Sequence, residues 1–136
     1  MRKIIFFSIG IIMCCLAAWG IYQISRAHQN VAGEEATASM TAANLYNEFI
    51  HAENIASKTW VGKVIRIRGI IASVNESGNY ISINVAATRE GGINCSIKKK
   101  DIQPEKQFHA GDSITIKGKC TGFLMDVNMV DCVIEN

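Results

Sequence analysis

The stretch VGKVIRIRGIIASV, residues 61–74, alternates with a period of two. Ile65, Ile67, Gly69 and Ile71 fall on one side, and Val64, Arg66, Arg68 and Ile70 on the other. That is the pattern of a long, half-buried β-strand, whose successive side chains point to opposite faces. Gly69 near its middle predicts a bend or bulge. NESGN (75–79) reads as a hairpin turn, and YISINVAA (80–87) as a second strand with Ile81, Ile83 and Val85 inward. TREGG (88–92) is a loop, and INCSIK (93–98) a third strand with Ile93, Cys95 and Ile97 inward. The run KKKDIQPEKQFHAGD (98–112) breaks the alternation and has room for one short helical turn around Pro104–Phe108. SITIKGKC (113–120) is the fourth strand, with Ile114, Ile116 and Cys120 inward. After GFLM (122–125), DVNMVDCVI (126–134) is the fifth.

Before residue 60 the period is that of a helix. Thr41 is placed to cap it, and Leu45, Phe49, Ala52 and Ala56 recur on one face, with Glu48 and Glu53 elsewhere. This reads as an amphipathic helix packed on a sheet, or else as a partner-binding helix. One helix followed by five strands, over residues 41–136, predicts a mainly β protein. Its expected form is the OB-fold, a five-stranded Greek-key barrel that binds oligonucleotides or oligosaccharides. An open α+β sheet and an SH3-like barrel are the alternatives.

The whole chain has 136 residues, 14 Lys+Arg against 12 Asp+Glu, 49% apolar and 19% charged residues, one Pro and eleven Gly. That composition excludes a disordered chain, a Pro-rich or collagen-like one, and a generic nucleic-acid coat. Its apolar residues are concentrated at the start. Ile4 to Tyr22 carries no charge and follows Arg2 and Lys3. Nineteen residues of helix span ~28 Å, close to the hydrocarbon thickness of a bilayer. Residues 1–26 are therefore expected to be a single-pass transmembrane anchor, with Trp19 and Tyr22 at an interface. A cleaved signal segment and a lipoprotein acylated at Cys14 or Cys15 are the other readings. The leading positive charge predicts a cytoplasmic N-terminus and an extracytoplasmic, periplasmic-side domain at the cell membrane. Residues 27–40, AHQNVAGEEATASM, are small and polar and read as a flexible tether.

The chain also resembles a known family. ANLYNEF…NIASKTWVGKVIRIRG and, most specifically, GDSITIKGKCTGFLMDVNMVDCVI are similar to the tRNA-anti-like OB-fold proteins, small envelope proteins of Bacteroidetes-type bacteria. RAHQNVA matches less well, since members tend to have Lys-Pro-His-Arg there. The resemblance implies an OB barrel and a membrane address, and no catalytic residue.

No chemistry-bearing constellation stands out. His28, His51 and His109 are not spaced as metal ligands, TREGG leads into a strand, and no nucleophile has a partner. We therefore expect no enzyme activity, cofactor or metal. Arg66 and Arg68 on the first strand, with Lys117 and Lys119 on the fourth, share an outward face and form a candidate anion-binding patch. Asp112, Asp131 and Glu135 are placed to neutralise it. Lys98–Lys100 reads as a solvated loop or a contact for lipid head groups. Tyr80 is a candidate stacking platform and Phe123 a second, unless Phe123–Met125 packs on the helix. Two platforms and a near-neutral charge make nucleic acid the less favoured ligand. The expected function is a membrane-tethered binding module for a glycan, peptide or anionic polymer of the envelope. The alternative is a structural subunit docking on a membrane protein complex.

Cys95, Cys120 and Cys132 allow one bridge at most. All three suit a core as thiols. Cys95–Cys132 is the better-placed pair, because the third and fifth strands are neighbours in an OB barrel. In the expected hairpin register Cys120 faces Met129, so Cys120–Cys132 needs a different register.

Overall fold

The computed structural model describes residues 12–16, 18 and 31–135. Residues 12–16 and 18, inside the apolar run, are helical, with Ile12, Met13 and Leu16 exposed. Among the described residues no helix is long and apolar enough to cross a membrane. Most of the expected Ile4–Tyr22 span lies outside the described residues, as do residues 27–30 of the expected tether.

The strand that decides the fold is β2, Val64–Ser77. It is preceded by β1, Ala38–Thr41, and helix α1, Ala42–Trp60. It is followed by β3 (Tyr80–Ala86), β4 (Gly92–Lys98), β5 (Ser113–Phe123) and β6 (Val127–Glu135). The sheet order is β1-β2-β3-β4-β6-β5, and β5 pairs back onto β2, so that β2 to β6 close on themselves. A closed barrel of five strands results. All its ladders are antiparallel except β4 with β6, which run parallel.

β2 closes the barrel by changing partners along its length. Residues 64–70 pair with β5 and residues 70–77 with β3, and Ile70 sits opposite both Ser113 and Ala86. The bulge expected at Gly69 falls three residues later, where the register shifts between Ile71 and Ser73. Gly69 has another reason to be glycine. A Cβ there would stand 2.5 Å from Val85 Cγ1 and 3.2 Å from Ala42 Cβ, so the missing side chain lets the helix start and β3 close over β2. Ile65, Ile67 and Ile71 are buried as the alternation requires. Val64, assigned outward, is also buried. It stands at the strand's start, where the chain at Thr37 lies alongside and its N–H donates to the Val64 carbonyl at 2.8 Å.

The stretch expected to be a flexible tether is built into the fold from Val31 onward. Val31–Gly33 is a 3₁₀ turn with Val31 buried. β1 then runs parallel to β2, Ala38 opposite Ile65 and Thr41 opposite Arg68. Since β5 occupies one edge of β2 at these residues, β1 takes the other, the edge that β3 uses further along. The four residues Ala-Ser-Met-Thr carry too short an alternation to read as a strand. Their partner edge, not their sequence, makes them one.

Thr41 ends β1 and caps α1, accepting from Asn44 N–H at 3.2 Å. Leu45, Phe49 and Ala56 are buried as expected, and Tyr46 joins them. They plug the barrel against Ile65, Ile67, Ile83, Ile93, Ile116 and Met129. Ala52 does not complete the stripe. Its backbone is non-helical (φ −151°, ψ 60°) and breaks the helix. Across that break the Trp60 indole N–H donates to Glu48, twelve residues back. A straight helix would separate their Cα atoms by ~18 Å, so the break folds the second half back toward the first. The short helical turn expected at Pro104–Phe108 occurs instead as a 3₁₀ turn at Lys99–Asp101, and a simple turn closes from Lys106 N–H to Gln103.

Candidate ligand-binding face

The outward side of β3, β4 and β6 is a ladder of amides and hydroxyls. Antiparallel register sets Ser82 opposite Ser96 and Asn84 opposite Asn94, and the parallel β4–β6 pairing sets Asn94 opposite Asn128. These side chains alternate with buried Ile83, Val85, Ile93, Cys95, Ile97, Val127 and Met129, so the core fixes which groups face out. The ladder is internally ordered. Ser82 Oγ donates to Asn94 Oδ1 at 2.5 Å, and Asn94 Nδ2 reaches Asn128 Oδ1 at 3.5 Å. At one end Asp126 accepts from Gly92 N–H at 2.7 Å and from Asn84 Nδ2 at 3.2 Å, tying the β5–β6 hairpin to β3 and β4. At the other end Tyr80, 44% exposed, stands opposite Lys98. The alternation that puts Ile83, Val85, Ile93, Cys95 and Ile97 inward leaves Ser82, Asn84, Asn94 and Ser96 as the outward positions. It did not give Asn128, whose membership depends on the parallel β4–β6 pairing.

The expected cationic patch fares differently. Arg66 is opposite Lys117 in the β2–β5 ladder, with Arg68 and Lys119 at flanking positions of the same face, so the four are brought together as expected. Two are then spent. Arg66 forms a two-pronged ion pair with Glu135, its NH2 group 3.2 Å from Oε1. The hydrogen bond to Arg66 draws the Glu135 carboxyl below the usual glutamate range, and Glu135 raises Arg66 in return. Lys117 is only 7% exposed. Its ammonium donates to the Ala32 carbonyl at 3.2 Å and the Glu34 carbonyl at 3.0 Å, and lies 3.5 Å from Glu135. The segment read as a tether thus lies over the patch and uses its central cation. Arg68 and Lys119 alone carry no ion pair among the described residues. As a four-cation anion site the patch is corrected, because two of its charges are internally compensated.

Phe123 is corrected as a stacking platform. Its ring packs 5.8 Å edge-on to Tyr46 and 5.7 Å stacked on Phe49, fastening α1 to β5. The exposed large apolar residues of that hairpin are Leu124 and Met125. Cys95, Cys120 and Cys132 are buried free thiols, and the candidate bridge between Cys95 and Cys132 is not formed. The two nonetheless touch. A hydrogen bond to Cys132, together with burial, pushes the Cys95 thiol well above its ordinary range. Cys120 faces Met129, as the hairpin register predicted, and burial raises its thiol too. Among the described residues no group of His, Cys, Asp and Glu is placed to hold a metal ion.

A closed five-strand barrel, plugged by a helix and presenting an ordered polar face on three strands, defines an OB-fold protein. More particularly, the chain belongs to the tRNA_anti-like family, whose model matches residues 1–134. Among solved structures it is similar to a candidate nucleic acid-binding lipoprotein of Klebsiella pneumoniae, with 16% identity and a TM-score of 0.62 over 78% of this chain and 95% of that one. At that identity the likeness is one of fold. The telomere capping protein Ten1 of Saccharomyces pombe is a more distant match, 12% identical with a TM-score of 0.41 over 75% of this chain and 81% of that one. No curated protein matches the chain.

Proposed function

We propose that this protein is a non-enzymatic binding module that takes an extended polymer across the β3–β4–β6 face and works tethered at the cell envelope by its N-terminal apolar run. The observation that carries the reading is the ladder Ser82–Ser96, Asn84–Asn94–Asn128, flanked by exposed Tyr80. Amides and hydroxyls offer donors and acceptors at ~4.8 Å steps across adjacent strands, which suits a repeating chain better than a single compact ligand. The OB fold uses this kind of strand face for oligonucleotides and oligosaccharides. The tether is supported by the uncharged run Ile4–Tyr22 behind Arg2 and Lys3, and the Klebsiella relative is itself described as a lipoprotein. The test is a binding screen of the purified full chain against single-stranded oligonucleotides and linear glycans, repeated with Asn94→Leu and Ser96→Leu. Retained polymer binding in both variants would remove the face from the mechanism. Exposed Leu124 and Met125 favour a second reading, docking on a protein partner. Crosslinking through a probe at Met125 would report it.

A further inference from the structure

Lys98, Lys99 and Lys100 close one end of the polar face. Continued as a strand, three consecutive lysines would alternate between barrel faces. The chain instead turns into the 3₁₀ segment Lys99–Asp101, and Lys99 N–H donates to the Asn79 carbonyl at 2.9 Å, pinning the turn to the tip of the β2–β3 hairpin. The result is a cavity of about 380 Å³ lined by Asn79, Tyr80, Lys98, Lys99 and Lys100. No carboxylate lines it. Asp131 holds Lys98 at 3.1 Å and Glu76 holds Lys99 at 2.8 Å, each from outside the lining. Both ammoniums are thereby oriented. Lys100 makes no ion pair among the described residues, and Asp101, which follows it, acts on the cluster through Lys98 without lining the cavity. Beside the lysines stands the exposed ring of Tyr80, directly across the ladder from Lys98.

A cluster of ammonium donors beside an aromatic ring matches a ligand with two parts: a compact anion and a ring that stacks. Lysine binds phosphoryl oxygens as a point charge from any approach, without the planar fork that carboxylate recognition exploits. The Tyr80 ring offers a flat apolar face to the C–H face of a sugar or to a base. We propose that this pocket binds a sugar phosphate, with the phosphoryl group on Lys98–Lys100 and the sugar ring against Tyr80. This rests on the proposed polymer-binding function, and names the repeating unit that its ligand would bring to this end of the face. Sugar phosphates occur in nucleotide chains and in phosphorylated glycans, and both present the same group.

The full chain is titrated with ribose 5-phosphate, glucose 6-phosphate, adenosine 5′-monophosphate, glucose and inorganic phosphate, following backbone and Tyr80 ring resonances by NMR. Saturable shifts confined to Asn79–Tyr80 and Lys98–Lys100 are expected with the sugar phosphates, more weakly with inorganic phosphate, and not with glucose. Lys100→Gln and Tyr80→Ala should each weaken sugar-phosphate binding roughly tenfold, the loss of one charge-assisted contact or one stacking contact. Both residues are exposed, so an unchanged thermal melt verifies their folding. Tighter binding of adenosine 5′-monophosphate than of ribose 5-phosphate supports the site with a nucleotide chain as source. Preference for glucose 6-phosphate supports it with a glycan as source. Glucose binding as well as glucose 6-phosphate, or no saturable shift at these residues, overturns the proposal. Polymer binding that survives Lys100→Gln with Tyr80→Ala overturns the pocket and leaves the face. Sugar-phosphate binding without any polymer binding leaves the pocket and removes the face.

Discussion

Replacing Lys117 with Met should loosen the N-terminal strap, residues 31–41, without unfolding the barrel. The side chains are similar in length, so Met fills the 7%-exposed position while the ammonium's bonds to the Ala32 and Glu34 carbonyls disappear. Two hydrogen bonds to a charged group are worth about 1.5–3 kcal/mol each when a partner is removed. Both carbonyls belong to exposed residues and can turn to water, which recovers part of that. Glu135 keeps Arg66, so no buried carboxylate is orphaned. The net loss is then about 2 kcal/mol, which lowers the melting temperature by roughly 8 °C for a domain of this size. The local signature matters more. Amide hydrogen exchange should quicken at Thr37, whose N–H bonds Val64 at 2.8 Å, and through β1, more than in β4 or β5. Buried Val31 is the strap's second anchor, from the 3₁₀ turn that packs on β5 and β6. Val31→Ala in the Lys117→Met background should open the strap further. If β1 amides keep their protection relative to the core in Lys117→Met, the ammonium is not what holds the strap, and the reasoning fails.

Gly118→Ala should be severe for its size. The added Cβ would sit 2.4 Å from Cys132 Sγ and 3.2 Å from Met129 Cε, an overpacked core worth about 1–3 kcal/mol. Urea denaturation measures it, and Cys132→Ala in the same chain should restore part of the loss. The pH dependence of stability should carry a Glu135 signature. Its folded pKa is lowered, chiefly by the bond to Arg66. The stabilisation is therefore present above the ordinary glutamate pKa of about 4.3 and fades as pH falls through the lower folded value. Wild type should exceed Glu135→Gln in stability at pH 7, and the gap should close below about pH 4; a gap that stays constant would assign the stabilisation to packing.

Much of the fold was legible because the barrel strands are half buried. Where one face of a strand meets a core, the side-chain period is two and the pattern is written into consecutive residues. Ile83, Val85, Ile93, Cys95 and Ile97 needed nothing beyond that. The polar ladder of β3 and β4 came with them as the alternate positions. What sequence could not supply was anything decided by chain segments meeting from afar. β1 is four residues long and becomes a strand only because an edge of β2 is open beside it. The break at Ala52 has no Gly or Pro to announce it. Phe123 could have stacked on a ligand or on α1, and only the position of Tyr46 and Phe49 decides.

The cationic patch shows the same limit most clearly, and it redirects the functional reading. Alternation correctly put Arg66, Arg68, Lys117 and Lys119 on one face. It says nothing of partners, because the groups that compensate them lie far off in the chain: Glu135 is 69 residues from Arg66, and Ala32 is 85 residues from Lys117. A buried ammonium needs acceptors, and backbone carbonyls of the strap supply them where a search for acidic residues alone would not look. The lysines at 98–100 present the reverse case. In sequence they look like a solvated run, yet a 3₁₀ turn gathers them beside Tyr80 and leaves Lys100 without an ion pair among the described residues. An unpaired lysine therefore stands beside an exposed ring at the end of the polar face, while the more conspicuous cluster on β2 and β5 keeps Arg68 and Lys119 unpaired among the described residues but commits Lys117 to holding the protein's own N-terminal strap in place.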